Sequence, residues 1–145
     1  IRDIIWTIDP RNESLQSLLT RFRDVTVLAC RLKNIKFLFN QQHPEICASF
    51  DFSPDQRKHL WLLLKEIVNN SLKHSLCTNI TVNVSCSSDG LNITIADDGK
   101  GFDTTVKPKG KGLETIKMRA AELGGSVKII SILESGTEIE FSMKI

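Results

Sequence analysis

The chain has 145 residues, 41% of them hydrophobic and 25% charged, which suits one globular domain large enough to bury a core. A formal net charge of +2 argues against a dedicated nucleic-acid binder, which would carry a broad basic surface. No apolar run reaches transmembrane length and no signal peptide is present. The chain opens on Ile1, so it reads as a piece of something longer, and these absences describe the piece alone.

In chain order, residues 1–9 (IRDIIWTID) are apolar for a terminus and fit the tail of a preceding helix. Asp9 and Pro10 interrupt that pattern, because a residue before proline is pushed out of helical conformation. Helical spacing resumes near Asn12 or Ser14, both plausible N-caps, with Leu15, Leu18, Leu19, Phe22, Val25 and Leu28 as the apolar stripe. Residues 35–40 (IKFLFN) read as a strand, and 43–52 (HPEICASFDF) leave room for a second short one. Ser53 as N-cap and Pro54 in the first turn open a long helix that runs to about Ser75.

Ile80, Val82, Val84 and Cys86 then alternate with polar residues, Asp89 and Gly90 signal a turn, and residues 91–99 (LNITIADDG) follow, which together predict a β-hairpin. The stretch 97–112 is rich in glycine and lysine and reads as a mobile loop. A helix over 113–123 ends at Gly124 or Gly125. A second hairpin turns near Ser135 and Gly136, with Thr137, Ile139, Phe141, Met143 and Ile145 on one face. Each strand has one apolar face, so the expected architecture is a two-layer α/β sandwich: a mixed, mostly antiparallel sheet of about five strands, covered on one face by three helices. Cys30, Cys47, Cys77 and Cys86 are scattered without a CxxC pair and are expected to be reduced, partly buried thiols. A zinc site would want clustered ligands, which His74 with Cys77 barely approaches.

The long helix carries the first chemistry. At about 100° per residue, Leu60, Leu63, Leu64, Ile67, Val68 and Leu72 form a broad apolar face, and Glu66, Asn70 and Lys73 form a narrow stripe at its border. Spacing of i, i+4 and i+7 stacks them along one edge. Asn69 and Lys65 point elsewhere. A carboxylate, an amide oxygen and an ammonium in a row suit a magnesium-phosphate group, since magnesium takes hard oxygen ligands. A solvated polar border would show the same residues.

The hairpin carries the second. Leu91, Ile93 and Ile95 share a face by period two, and Asp97 is next in that phase, so it should point toward the helices while Asp98 points away. A carboxylate on an apolar face is costly unless paired. Beside Gly99 and Gly101 it suggests a flat ligand that donates hydrogen bonds, such as adenine; capping of a turn is the plainer alternative. Gly110, Lys111 and Gly112 precede a helix, whose free N–H groups can bind phosphate, and Lys107, Lys109 and Lys111 add positive charge.

Together these elements resemble the ATP-binding domain of sensor histidine kinases, the Bergerat fold shared with gyrase, the 90-kDa heat-shock chaperones and mismatch-repair ATPases. Residues 66–75 (EIVNNSLKHS) resemble its N box, 97–102 (DDGKGF) its adenine box, 110–113 (GKGL) with Arg119 and Ala120 its second glycine box, and Gly136 with Thr137 its final glycine-threonine box. The short lid and the NxxKHS run resemble the subfamily of nitrate sensors and the membrane-fluidity thermosensor. Where that subfamily often places a methionine, this chain has Ile116, which can fill the same apolar role, and Met118 follows.

The resemblance implies that Asn70 ligates the magnesium of Mg-ATP and that Glu66 orders its water shell or assists proton removal. Lys73 and the 110–112 turn, with Lys111, would hold phosphate, Leu113 would belong to the ATP-binding set, and His74 would touch phosphate or serve packing. Asp97, with Gly99 and Gly101, would read adenine, with Thr137 supporting through water. Residues 1–11 would be a linker from a missing dimerisation helix and 12–145 the ATP-binding catalytic domain. The phosphoacceptor is absent: His43, His59 and His74 precede proline, leucine and serine, where the family places an acidic residue. The implied partners are the parent's own dimerisation and phosphoacceptor domain, a downstream response regulator and a second copy in a homodimer, with no direct nucleic-acid binding. The implied location is the cytoplasmic side of a bacterial inner membrane, as part of a membrane-anchored parent. The alternative is a nucleotide-gated binding module or serine kinase of the anti-sigma-factor type. A clamp ATPase would show a longer lid, and a hydrolase using Ser75 and His74 fails because neighbouring helix residues do not face each other.

Overall fold

The computed structural model describes residues 14–74, 76–105 and 112–144. In chain order these form α1 (Leu15–Leu32), β1 (Lys36–Gln42), α2 (Pro44–Ser49), α3 (Pro54–His74), β2 (Asn79–Ser87), β3 (Gly90–Asp97), α4 (Gly112–Glu122), β4 (Ser126–Ile132) and β5 (Gly136–Lys144). The five strands make one sheet in the order β1-β2-β3-β5-β4. β1 and β2 are parallel, and the other pairs are antiparallel.

α1 and α3 start where short polar side chains satisfy free backbone N–H groups. Ser14 accepts from Ser17 N at 3.0 Å and caps α1. Ser53 accepts from Gln56 N while Gln56 Oε1 accepts from Ser53 N, a reciprocal capping box, and Pro54 follows as the first residue of α3. Asn12, the other candidate cap, lies outside the described residues. Residues 43–52 hold α2 and no second strand. Pro44 suits the first turn of a helix and His43 enters it at φ 59°.

The core lies between the helices and one face of the sheet. Leu60, Leu63, Leu64, Ile67, Val68 and Leu72 of α3 are all buried, as their spacing predicts. On α1 the stripe drifts: Leu28 is 59% exposed, and Thr26, Ala29 and Cys30 take the buried positions instead. Arg21 stacks over Trp61 of α3 with its guanidinium carbon 3.9 Å from the ring centroid. Lys33 donates to Leu72 O at 3.0 Å and ties the C-terminal ends of α1 and α3. Ile116 is fully buried and fills the apolar role expected of it, whereas Met118 is half exposed.

The register of the sheet lays the inner face out in rows. Phe39, Val82, Ile95, Ile139 and Ile129 make one row, all apolar. The row nearest the C-terminal end of β3 runs Phe37, Ile80, Asp97, Thr137, Ser131, and turns polar halfway across.

Two devices fix β2, which orients β3 beside it. At its start, Asp98 accepts hydrogen bonds from the N–H groups of Thr78 and Asn79 at 2.8 Å, from Thr78 Oγ1 at 2.8 Å and from Asn79 Nδ2 at 2.7 Å. The Asn79 amide first, and these N–H and hydroxyl donors with it, hold the Asp98 carboxyl well below the usual carboxylate range. At the other end, Cys86 forms a disulfide with Cys47 of α2. The expectation of four reduced thiols therefore fails for this pair. Both face the same core and their Cα atoms are 5.5 Å apart, within disulfide range, although 39 residues separate them in sequence. Cys30 and Cys77 are free and buried, and burial, with Cys77 nearby, pushes the Cys30 thiol up to about 11.

Cys47 and Cys86 close a long loop, so reduction should lower stability by roughly 4 kcal/mol on the chain-entropy account. Thermal melts with and without reductant check this; a Cys47→Ser, Cys86→Ser variant should melt like the reduced protein and ignore reductant. For Asp98, a lowered carboxyl pKa contributes stability above the unfolded value of 3.8, and this is lost as pH falls through the folded value. Asp98→Asn should therefore lower Tm by about 3 °C at neutral pH, with the gap to wild type closing progressively below pH ~4. A gap that stays constant down to pH ~2 would contradict the clamp.

Candidate functional site

The polar end of that inner-face row sits beneath the C-terminal half of α3. Asp97 ends β3 in the inward phase, half-buried. Its Oδ2 accepts from Ser71 Oγ of α3 at 2.7 Å, and its Oδ1 accepts from Gly99 N at 2.9 Å. The phase expectation for the two aspartates holds: Asp97 meets the helix layer and Asp98 turns outward to its clamp.

Asn70 precedes Ser71 on α3, and its amide lies against the first residue of α4. A Cβ on Gly112 would sit 2.9 Å from Asn70 Oδ1 and 3.2 Å from Nδ2. A side chain at this position would push the Asn70 amide aside. The free N–H groups and the positive end of the α4 dipole thus stand beside Asn70, an arrangement suited to anions. Glu66, one turn earlier on the same stripe, is half-buried; Lys73 and His74 in the last turn are exposed. Amide oxygen, carboxylate and helix N-terminus form a donor set that fits a hydrated hard cation with phosphate oxygens. Gly110 and Lys111, with Lys107 and Lys109, lie outside the described residues. Leu113 packs against the core.

The loop after Asp97 is laid against the β4–β5 turn. Gly101 has φ 59°, and a Cβ there would lie 2.1 Å from Ile132 O. Gly136 has φ 104°, and a Cβ there would lie 2.1 Å from Asp97 O. Both positions require glycine for close backbone contact. The freedom of Gly101 is used against a protein carbonyl, a role its sequence position did not reveal. Glu134 N donates to Lys100 O at 2.6 Å and Phe102 N donates to Ser131 Oγ at 2.8 Å, which completes the seam.

Ser131 is the site residue that the motifs missed. Its Oγ also lies 2.8 Å from Thr137 Oγ1. The available signal was its phase: it follows Val127 and Ile129 on the inner face of β4, where an apolar residue would be expected.

Asn70 and Asp97 therefore lie on one side of the sheet, linked through Ser71 of α3, with the first residue of α4 against Asn70 and the 97–102 loop leading on from Asp97. No group of three or more His, Cys, Asp or Glu side chains able to hold a metal occurs among the described residues, so Cys77 and His74 make no such cluster. Among them, no helix is long and apolar enough to cross a membrane.

Known proteins share both pattern and fold. Sensor protein VraS of Staphylococcus aureus (strain COL) is 39% identical over 83 residues, covering 57% of this chain and 24% of VraS. VraS of Staphylococcus haemolyticus is likewise 39% identical over 83 residues. The chain thus spans about a quarter of the length of these curated relatives. Among solved structures, the histidine kinase domain of the Erythrobacter litoralis EL346 blue-light activated histidine kinase superposes with a TM-score of 0.70 at 17% identity, over 87% of this chain and 60% of that one. The Acinetobacter baumannii histidine kinase AdeS gives 0.69 at 14%, over 90% of this chain and 64% of that one. These two likenesses establish the fold, a mixed five-stranded sheet with helices. The family profile described as histidine kinase-, DNA gyrase B- and HSP90-like ATPase matches residues 55–145, which run from the first turn of α3 through β5. With more than half of its length matched, and with the matched part carrying Asn70, Asp97, Gly112 and Thr137, the chain belongs to the histidine kinase-, DNA gyrase B- and HSP90-like ATPase family.

Proposed function

We propose that this domain is the ATP-binding catalytic domain of a two-component sensor histidine kinase. It binds Mg-ATP and passes the γ-phosphoryl group to a histidine on a dimerisation domain of the parent protein. The observation that carries this reading is the convergence at α3: Ser71 bonds Asp97 of the adenine-reading loop while the adjacent Asn70 touches Gly112 at the phosphate-binding helix end. A purine triphosphate needs both ends at once.

The roles follow from position. Asn70 would offer its amide oxygen to magnesium, which would supply neutralisation of phosphate charge. Glu66 would help hold the hydrated ion or accept a proton from the acceptor histidine. The α4 N-terminus, with Lys73 and the glycine turn 110–112, holds phosphate. Asp97 accepts from the exocyclic amine of adenine with the lone pairs left after Ser71 and Gly99. Phosphoryl transfer asks for positioning and charge neutralisation, and these groups supply both. The parent is a homodimer at the bacterial cytoplasmic membrane that hands its phosphoryl group to a response regulator. Its similarity to the VraS sensor proteins and the absence of a histidine followed by an acidic residue in this chain support that division of labour.

Two variants test the assignment. Asn70→Asp places a carboxylate among phosphates and should weaken magnesium-dependent ATP binding by about tenfold or more with little change in Tm. Equal affinities by titration calorimetry would remove Asn70 from the metal site. Asp97→Ala should abolish the preference for ATP over GTP in competition binding; a variant that still favours ATP shows that adenine is read elsewhere.

A further inference from the structure

The protons of the polar row can be counted. Ser131 Oγ accepts from Phe102 N at 2.8 Å, lies 2.8 Å from Thr137 Oγ1 and donates to Gly136 O at 3.3 Å. A serine hydroxyl has a single proton. Gly136 O has none, so that bond exists only when Ser131 is the donor. The contact with Thr137 then requires Thr137 to donate. This arrangement makes all three bonds, whereas donation from Ser131 to Thr137 forfeits the one to Gly136. Thr137 thus spends its proton inside the row and turns only lone pairs outward. Its register partner on β3 is Asp97, whose side chain accepts from Ser71 and Gly99. Register partners in an antiparallel pair place their side chains side by side on one face.

We propose that Ser131, by fixing the hydrogen-bond polarity of Thr137, makes this end of the cleft select a 6-amino purine over a 6-oxo purine. The inference rests on the nucleotide reading above and adds a residue outside the motifs that carry it. Two adjacent acceptors are matched by an amino group, which donates, and mismatched by a carbonyl, which accepts. When Ser131 no longer accepts, the Thr137 hydroxyl is released to donate toward the ligand. Ser131 touches no ligand in this scheme and is a positioning residue.

Magnesium-dependent binding of ATP and of ITP, its 6-oxo counterpart, to the whole domain tests this by titration calorimetry. Ser131→Ala should reduce the ATP-to-ITP affinity ratio about three- to tenfold, the scale of one neutral hydrogen bond. Ser131→Thr, which keeps the hydroxyl, should restore the wild-type ratio. Ser131→Cys, close in volume but a poor hydrogen-bonding partner, should lower it, and serves as the test if the alanine variant does not fold. In a Thr137→Val background, Ser131→Ala should leave the ratio where Thr137→Val put it, because the effect runs through Thr137. An unchanged ratio in the Ser131 variants, a parallel loss of ATP and ITP affinity, or a full effect in the Thr137→Val background each overturns the inference while leaving ATP binding intact. A wild-type domain that binds neither nucleotide overturns the nucleotide reading itself, and this inference with it.

Discussion

A carboxylate at the end of an apolar face is the constraint around which this domain is arranged. Asp97 follows Leu91, Ile93 and Ile95 in phase and so enters the layer between sheet and helices. Placing it there costs several kcal/mol unless partners are supplied. The chain supplies Ser71 from the helix above and Gly99 from its own turn. A carboxylate has about four lone-pair sites, and those two donors leave capacity unused. On the proposed nucleotide reading that remaining capacity accepts from adenine, so the group that threatens the core would also serve the site.

The walls come from distant parts of the chain because close backbone approach, rather than sequence proximity, assembles them. Gly101 lies on Ile132 O, Gly136 on Asp97 O and Gly112 on the Asn70 amide. At Gly101 and Gly136 a methyl group would strike backbone, whereas at Gly112 it would displace the Asn70 side chain. Gly101 and Gly136 therefore have a structural reason independent of any ligand: they let the 97–102 loop and the β4–β5 turn close on each other. Gly101 and Gly136, far apart in sequence, serve one seam between the 97–102 loop and the β4–β5 turn.

What the sequence revealed depended on whether a feature repeats. Period-two alternation placed β2, β3 and β5, helical spacing placed the buried face of α3, and the phase of Asp97 against Asp98 was readable from three isoleucine and leucine positions before it. Features that depend on a single tertiary contact were not readable. Leu28 belongs to the apolar composition of α1, yet the helix rolls so that Thr26 and Cys30 face inward. The stretch containing Cys47 resembles a strand in composition, but Pro44 starts a short helix there and brings Cys47 to Cys86. Ser131 shows in the sequence only as a polar residue in the inward phase of Val127 and Ile129, and the register supplies its partner Thr137.

The adjacent aspartates raise a last question of register. A strand shifted by one residue turns every side chain to the other face. In most strands such a slip exposes the core and is excluded by that alone. Here it would place Asp98 where Asp97 belongs, so the site itself would barely distinguish the two arrangements. The core rows oppose the slip through Ile93 and Ile95, and the Asp98 clamp opposes it locally, because its bonds to both Thr78 and Asn79 form only when Asp98 faces outward. At the far end of β2 the Cys47–Cys86 disulfide binds the same strand to α2. β2 is thus fixed at both ends, and its pairing of Ile80 with Asp97 sets which of two chemically identical carboxylates meets the helix layer. On the proposed reading, the binding specificity of this domain would in that sense be a consequence of strand register.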